Sequence, residues 1–176
     1  LDFAAGQPEY VARVALQDAE GNQLDTEQVM ASYSSTTRNE TRKALKSTLE
    51  VEVGECKDMA RFHALYNHTA DRQEFTGRPL SYFEKMHTVL NEAVPGSCTL
   101  YIASNEGVDL AASIVIRSSN LAWYLYGASS SEQRKLFAPK AIMHRMISDS
   151  TEAGCRYLDQ GGVSATLVEQ AVGVGL

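Results

Sequence analysis

Three strand-forming segments follow one another with almost nothing between them: CTLYIAS at Cys98 to Ser104, VDLAASIVIR at Val108 to Arg117, and LAWYLYG at Leu121 to Gly127. Their connectors, NEG and SSN, are too short to carry a helix and consist of residue types that turn hairpins. Strands joined this tightly pair antiparallel, so the middle of the chain is predicted to be a three-stranded meander.

Side chains alternate across a strand, which predicts Tyr124 and Tyr126 on one face of Leu121 to Gly127 and Trp123 and Leu125 on the other. Two neighbouring tyrosines can line a cleft, each offering a flat apolar ring and a hydroxyl. Aromatic residues also simply favour strands, and this pattern does not choose between the two readings.

Elements are legible on both sides of the meander. Val11 to Gln17 alternates as a strand and is closed by EGN at Glu20 to Asn22. Asp25 with Gln28 three residues on forms a capping box, and Val29, Tyr33 and Ala44 continue at helical spacing, predicting one helix to about Lys46. Leu49 to Val53 reads as a strand, and Lys57 to Arg72 and Ser81 to Ala93 read as amphipathic helices, the second capped by Ser81 with Glu84 behind it. After a polar loop from Ser129, Pro139 suits the first residue of a helix striped by Ile142, Met143, Met146 and Ile147 and ended by Gly154. Arg156 to Gln160 is the last clear strand, and the glycine-spaced tail after Gly162 carries no assignable pattern.

Composition narrows the function classes. With 22 acidic and 16 basic residues the net charge is −6, which argues against a surface that grips nucleic acid everywhere and leaves room for a local basic patch. The segment TTRNETRKALK supplies one, with Arg38, Arg42 and Lys46 at steps of four and Lys43 beside them. Either a phosphate site or a solvated helix face accounts for it. Arg78 precedes Pro79, which holds it extended ahead of the next helix, where an arginine beside free helical N–H groups makes an anion site; Tyr82 falls in the first turn of that helix.

The three cysteines and four histidines show no metal spacing, and no motif marks a covalent nucleophile, so no metal is expected and the catalytic group is unknown at this stage. DQGG at Asp159 to Gly162 leaves the last strand where α/β ligands often bind, although glycines after a strand usually mean a turn. No apolar run approaches the ~20 residues of a bilayer span and the opening residues lack a leader pattern, so a cytoplasmic protein is expected.

From residue 48 onward the order is strand, helix, helix, three antiparallel strands, helix, strand. That order resembles the GNAT (N-acetyltransferase) fold, an α/β architecture with a mixed, mostly antiparallel sheet flanked by helices. A single domain over 1–176 is expected, with a 48–163 core preceded by a strand and a basic helix. GNAT enzymes that use CoA wrap its pyrophosphate in a glycine-containing loop; the corresponding ASSSEQRKLFAP has none, which disfavours acetyl-CoA.

TTRNETRKA, the D-R-x-x-F-x-x-R-P-L-S-Y-F run from Asp71, AWYLYGAS, and GCRYLDQGGV from Gly154 together resemble landmarks of the FemABX peptidyltransferases, in order and in spacing over residues 11–163. The resemblance implies a non-ribosomal peptidyltransferase lobe that moves an amino acid from aminoacyl-tRNA, as co-substrate, to the stem peptide of a peptidoglycan precursor, lipid II or its UDP-MurNAc-pentapeptide form. It implies no cofactor, a second GNAT-like lobe of the same chain, and an approach to the inner membrane face through lipid II. On this basis Arg78 and Tyr82 are similar to residues that contact the precursor's diphosphate region, and Tyr126, or less surely Tyr124, to a tyrosine of the same cleft. Arg38, Arg42 and Lys43 are candidates for holding phosphates or the tRNA acceptor end. The family's lysine after the final strand has no counterpart in VEQAVGVGL, and ~8 residues between the middle helices leave no room for a long helical arm. A CoA- or carrier-dependent N-acyltransferase and a non-catalytic precursor-binding lobe are the competing expectations.

Overall fold

The computed structural model describes residues 10–164, 166, 168 and 169. The predicted meander is present as β3 (Cys98–Asn105), β4 (Val108–Ser118) and β5 (Leu121–Ser129), each paired antiparallel with the next. Glu106 and Gly107 at one turn and Ser119 at the other take positive φ, as tight hairpin turns require. β2 (Glu50–Gly54) adds antiparallel to β3, and β6 (Tyr157–Val163) lies between β5 and β1 (Tyr10–Ala15), giving the order β1-β6-β5-β4-β3-β2. β6 is parallel to β5; every other pairing is antiparallel.

The central strands β3 and β4 are buried on both faces, because helices cover each side. On one face α3 (Met59–Gln73) and α4 (Leu80–Ala93) enclose Phe62, Tyr66, Phe83, Leu100, Ile102 and Ile114. On the other, α5 (Ala138–Glu152) packs Ile142, Met146 and Ile147 against Tyr101, Val115 and Leu158. Arg61 clamps α3 to the sheet, with Nε and one terminal nitrogen on the two oxygens of Asp109 (2.9 and 2.6 Å) and the other on Glu52 (2.7 Å).

The predicted helix over 25–46 is two helices. Asp25 forms its capping box with Gln28, but α1 (Thr26–Ala31) stops after six residues and α2 (Ser35–Leu45) restarts under its own cap, the Ser34 hydroxyl accepting from the Thr37 N–H. Arg38 closes the break by donating to the Ala31 and Tyr33 carbonyls at 2.9 and 2.7 Å. α4 likewise begins ahead of its predicted cap: Pro79 takes the cap position before Leu80, and Ser81 lies inside the helix. With no capping side chain, the Tyr82 N–H is taken up by the Pro79 carbonyl at 3.0 Å. α5 starts at Ala138, one residue before Pro139, and Gly154 ends it at positive φ. The VEQAVGVGL tail lies almost wholly outside the described residues.

Tyr101, fully buried on β3, donates to Asp149 Oδ2 (2.9 Å) and accepts from Arg117 (3.2 Å). Burial pushes its pKa up to about 12, against the opposing pull of Arg117. The unfolded chain therefore ionises first as pH rises, so the stability that Tyr101 contributes is complete below pH 10 and is lost between 10 and about 12. Thermal unfolding followed from pH 9 to pH 12 should show that loss, on the order of 2 kcal/mol, and Tyr101→Phe should flatten it.

Candidate functional site

Phe83, with no exposed surface, sits at the centre of an aromatic cluster between α3, α4 and β5. Phe62, Tyr66, Tyr82 and Tyr126 all meet it edge-on, with ring centroids 5.0 to 5.3 Å away. These contacts hold Tyr82 and Tyr126 so that their hydroxyls share a hydrogen bond (3.2 Å) at the surface of the cluster. The Arg78 guanidinium lies over the Tyr82 ring, 4.6 Å from its centroid. His63 Nε2 donates to the Arg78 carbonyl (3.0 Å), and Asn67 approaches His63 Nδ1 (3.4 Å). Arg78, Tyr82 and Tyr126, singled out on the sequence, thus form one group.

Burial first, then the Tyr82 hydroxyl, pushes the Tyr126 pKa up to about 12, with Arg78 pulling the other way. At neutral pH Tyr126 is therefore a neutral hydrogen-bond donor and not a base. The group offers a cation, two hydroxyls and aromatic edges to an anionic, partly apolar ligand.

Tyr124 does not belong to it. The register of β5 slips at Leu125: Tyr126 stands opposite Ile114 and Tyr124 opposite Val115, leaving Leu125 as an extra, exposed residue. This β-bulge puts the two tyrosines on opposite faces of the sheet, contrary to the alternation predicted for a regular strand. Tyr124 packs against the α5-side core beside Ser113. Burial raises its hydroxyl above the usual tyrosine range, and Ser113 acts in the opposite sense. Its ring lies along the strand over Gly127, where an added Cβ would fall on the Tyr124 hydroxyl.

Beside Tyr124 a cavity of about 920 Å³ opens, lined from both helix layers. It exists because β5 and β6 part company: they pair only from Leu121↔Tyr157 to Trp123↔Asp159, and beyond that point β6 continues with β1 alone. Tyr124, Gly127 and Ser129 from β5, Gln160 from β6, Arg13 from β1, Thr37 and Thr41 from α2, Thr69 and Arg72 from α3, and Lys140 and His144 from α5 line it. Burial holds His144 below the ordinary histidine range, which favours its neutral form. A second cavity of about 360 Å³ adjoins it, sharing Arg72, Ser129, Pro139 and Lys140 and adding Gln133 and Arg134 from the loop before α5. That loop turns without glycine, through Gln133 and Phe137 in the left-handed region.

The basic helix contributes less than its charge pattern suggested. Arg38 is occupied in closing α1, Lys43 lies 6.0 Å from the Phe137 ring centroid, and Arg42 and Lys43 point to solvent. Thr37 and Thr41 are the α2 side chains that face the cavity. Arg13, Arg72 and Gly127, which shape the cavity, gave no sequence signal as site residues, because the cavity depends on which strands separate. Among the described residues no group of three or more His, Cys, Asp or Glu side chains could hold a metal ion. No described helix is long and apolar enough to cross a membrane.

Comparison with known proteins places this geometry. The FemAB family matches residues 2–95 and 98–176, nearly the whole chain. The chain belongs to the FemAB family. A curated relative, the UDP-N-acetylmuramoylpentapeptide-lysine N(6)-alanyltransferase of Weissella viridescens, is 24% identical over 149 residues, 84% of this chain and 43% of the relative. The crystal structure of FemX superimposes with a TM-score of 0.81 at 19% identity, covering 89% of this chain and 54% of that one. This FemAB chain therefore spans about half the length of these two proteins. The C-terminal domain of a putative lysylphosphatidylglycerol synthetase from Agrobacterium fabrum (TM-score 0.58, 10% identity, 90% of this chain and 48% of that one) has a similar fold. So does a possible acetyltransferase from Clostridium difficile 630 (0.51, 8% identity, 74% and 91%). The fold is GNAT-like, as the element order implied.

Proposed function

We propose that this chain is the aminoacyl-transferring lobe of an enzyme that moves an amino acid from aminoacyl-tRNA to an amine on the stem peptide of a peptidoglycan precursor. One observation carries the reading of the donor site. In a chain of net charge −6, Arg13, Arg72 and Lys140 line the 920 Å³ cavity; Asp159 and Glu40 pair with Arg13 and Lys140 at 3.0 and 3.5 Å, and neither carboxylate is among the described lining residues. Such a recess selects a polyanionic ligand with a polar, hydroxyl-rich body, which suits the 3′ end of an RNA. The Weissella relative's activity and substrate support an acceptor of the peptidoglycan precursor class.

The acceptor is assigned to the opposite face, with the precursor's diphosphate on Arg78 and Tyr82 and its sugar peptide along Tyr126. β6 leaves β5 beside Tyr124 to Tyr126, and on this reading a group held in the cavity meets a group held at the tyrosine cluster through that parting. The amine attacks the ester carbonyl, a tetrahedral oxyanion forms, and the ribose hydroxyl departs with the proton that the amine gives up. This sequence needs positioning and hydrogen-bond donors, not an enzyme nucleophile. Neutral tyrosine hydroxyls are suited to donate.

Arg78→Ala should weaken binding of the UDP-linked precursor about tenfold, by loss of a charge-assisted contact, when measured by calorimetry. Unchanged affinity would reject the acceptor assignment. A CoA-dependent acyltransferase is the reading to exclude, since the left-handed Gln133 and Phe137 give the loop before α5 sharp turns without glycine. Protection from thermal unfolding by CoA, with none from the precursor, would replace the proposal by that alternative.

A further inference from the structure

Arg13 and Asp159 hold the cavity at the point where it begins. The Arg13 Nε donates to Asp159 Oδ2 at 3.0 Å, and the other carboxylate oxygen accepts from the Gly161 N–H at 2.9 Å. Asp159 is 6% exposed, so its charge would be costly without both partners. Opposite Ala12 of β1, β6 carries two residues, Gln160 and Gly161, and Gly161 takes φ +92°. This bulge bends β6 immediately after Trp123↔Asp159, the last pair that joins it to β5. One carboxylate thus fixes both the bend that opens the cavity and the arginine on its wall. Arg13 uses only Nε in this bond, its side chain is 48% exposed, and its terminal nitrogens make no hydrogen bond with a described residue.

We propose that Arg13 contacts a phosphodiester group of the RNA-linked donor in this cavity, and that Asp159 is the positioning residue that sets Arg13 and the parting of β5 from β6. The inference rests on the donor reading above. An arginine locked by its Nε presents its two terminal N–H groups at a fixed angle, which matches the paired oxygens of a phosphate better than a free lysine would. The Asp159 carboxylate is bonded to Nε and not to the terminal nitrogens, and the Tyr157 ring lies 6.0 Å from the guanidinium carbon, which leaves those two N–H groups to the cavity.

The test uses the protein in its natural length and, as probe, a short RNA ending in CCA with an amide-linked amino acid at its 3′ end, alongside the UDP-linked precursor. Arg13→Gln should lower RNA affinity roughly tenfold and reduce the slope of log affinity against log salt by about 0.7, while precursor affinity stays at the wild-type level. Asp159→Asn should also weaken RNA binding but leave the salt slope near wild type, because Arg13 keeps its charge while losing its fixed angle. Wild-type RNA affinity and slope in Arg13→Gln would overturn the assignment. If Arg13→Gln does not fold, Arg13→Lys, which keeps Asp159 compensated, decides it: reduced RNA affinity supports the role and unchanged affinity overturns it. Gln160→Trp, at the cavity wall, separates the two readings. Weaker RNA binding there with none lost in Arg13→Gln removes Arg13 alone. No loss in either variant removes the donor cavity with it.

Discussion

Phe83→Ala should cost about 3–5 kcal/mol of stability and abolish acceptor binding even where the protein still folds. Phe83 is fully buried, and its ring is the one that Phe62, Tyr66, Tyr82 and Tyr126 all touch edge-on. Removing it leaves a hole that four aromatic side chains cannot all collapse into, so the cavity cost adds to the lost transfer energy. It also frees Tyr82 and Tyr126 from the contacts that bring their hydroxyls within 3.2 Å. Chemical denaturation measures the first effect and calorimetry with the precursor nucleotide the second. Phe83→Leu, which keeps most of the apolar volume but not the edge-on contacts, separates them: it should recover most of the stability and little of the binding.

Gly127→Ala should act the other way, sparing the fold and damaging the donor site. The backbone at Gly127 is ordinary extended strand, so alanine meets no conformational strain; what it meets is the Tyr124 hydroxyl. That atom is the far end of a side chain next to a 920 Å³ space, so the ring swings into the cavity instead of the strand moving. We expect a stability loss below about 2 kcal/mol and a rise in donor KM of tenfold or more, from occlusion. Tyr124→Leu in the Gly127→Ala background should restore donor binding, and a double-mutant cycle should show strong coupling between the two positions. Additive effects would mean that Tyr124 does not move as described.

Much of the fold was legible because its signals are local. NEG and SSN fixed the meander, Asp25 with Gln28 announced the first helix, and Gly154 marked the end of α5, each through chemistry confined to a few residues. Where reading failed, the deciding contact lay outside the pattern being counted. The break between α1 and α2 is closed by Arg38 reaching back to Ala31, and counting apolar positions at steps of three and four passes straight over it. The bulge at Leu125 leaves no trace in LAWYLYG; only the pairing with Ile114 and Val115 shows that one residue is extra.

The candidate site divides along the same line. The family resemblance put Arg78, Tyr82 and Tyr126 in one cleft on paper, and in the structure Arg78 lies over the Tyr82 ring while the two tyrosine hydroxyls share a hydrogen bond. The cavity itself was not legible because β5 and β6 are nearly thirty residues apart and their parting is set by Asp159 and Gly161, in a DQGG run that reads equally as a ligand-end of a strand or as a turn.

The joint between β5 and β6 is held by three residue pairs, against eight between β4 and β5. A sheet opens most easily along its shortest ladder, so local opening between described strands should begin at β5 and β6, opposed by Leu158, which anchors β6 in the α5-side core. Among the described strand pairings, the ladder with the fewest pairs is thus the one beside the 920 Å³ cavity.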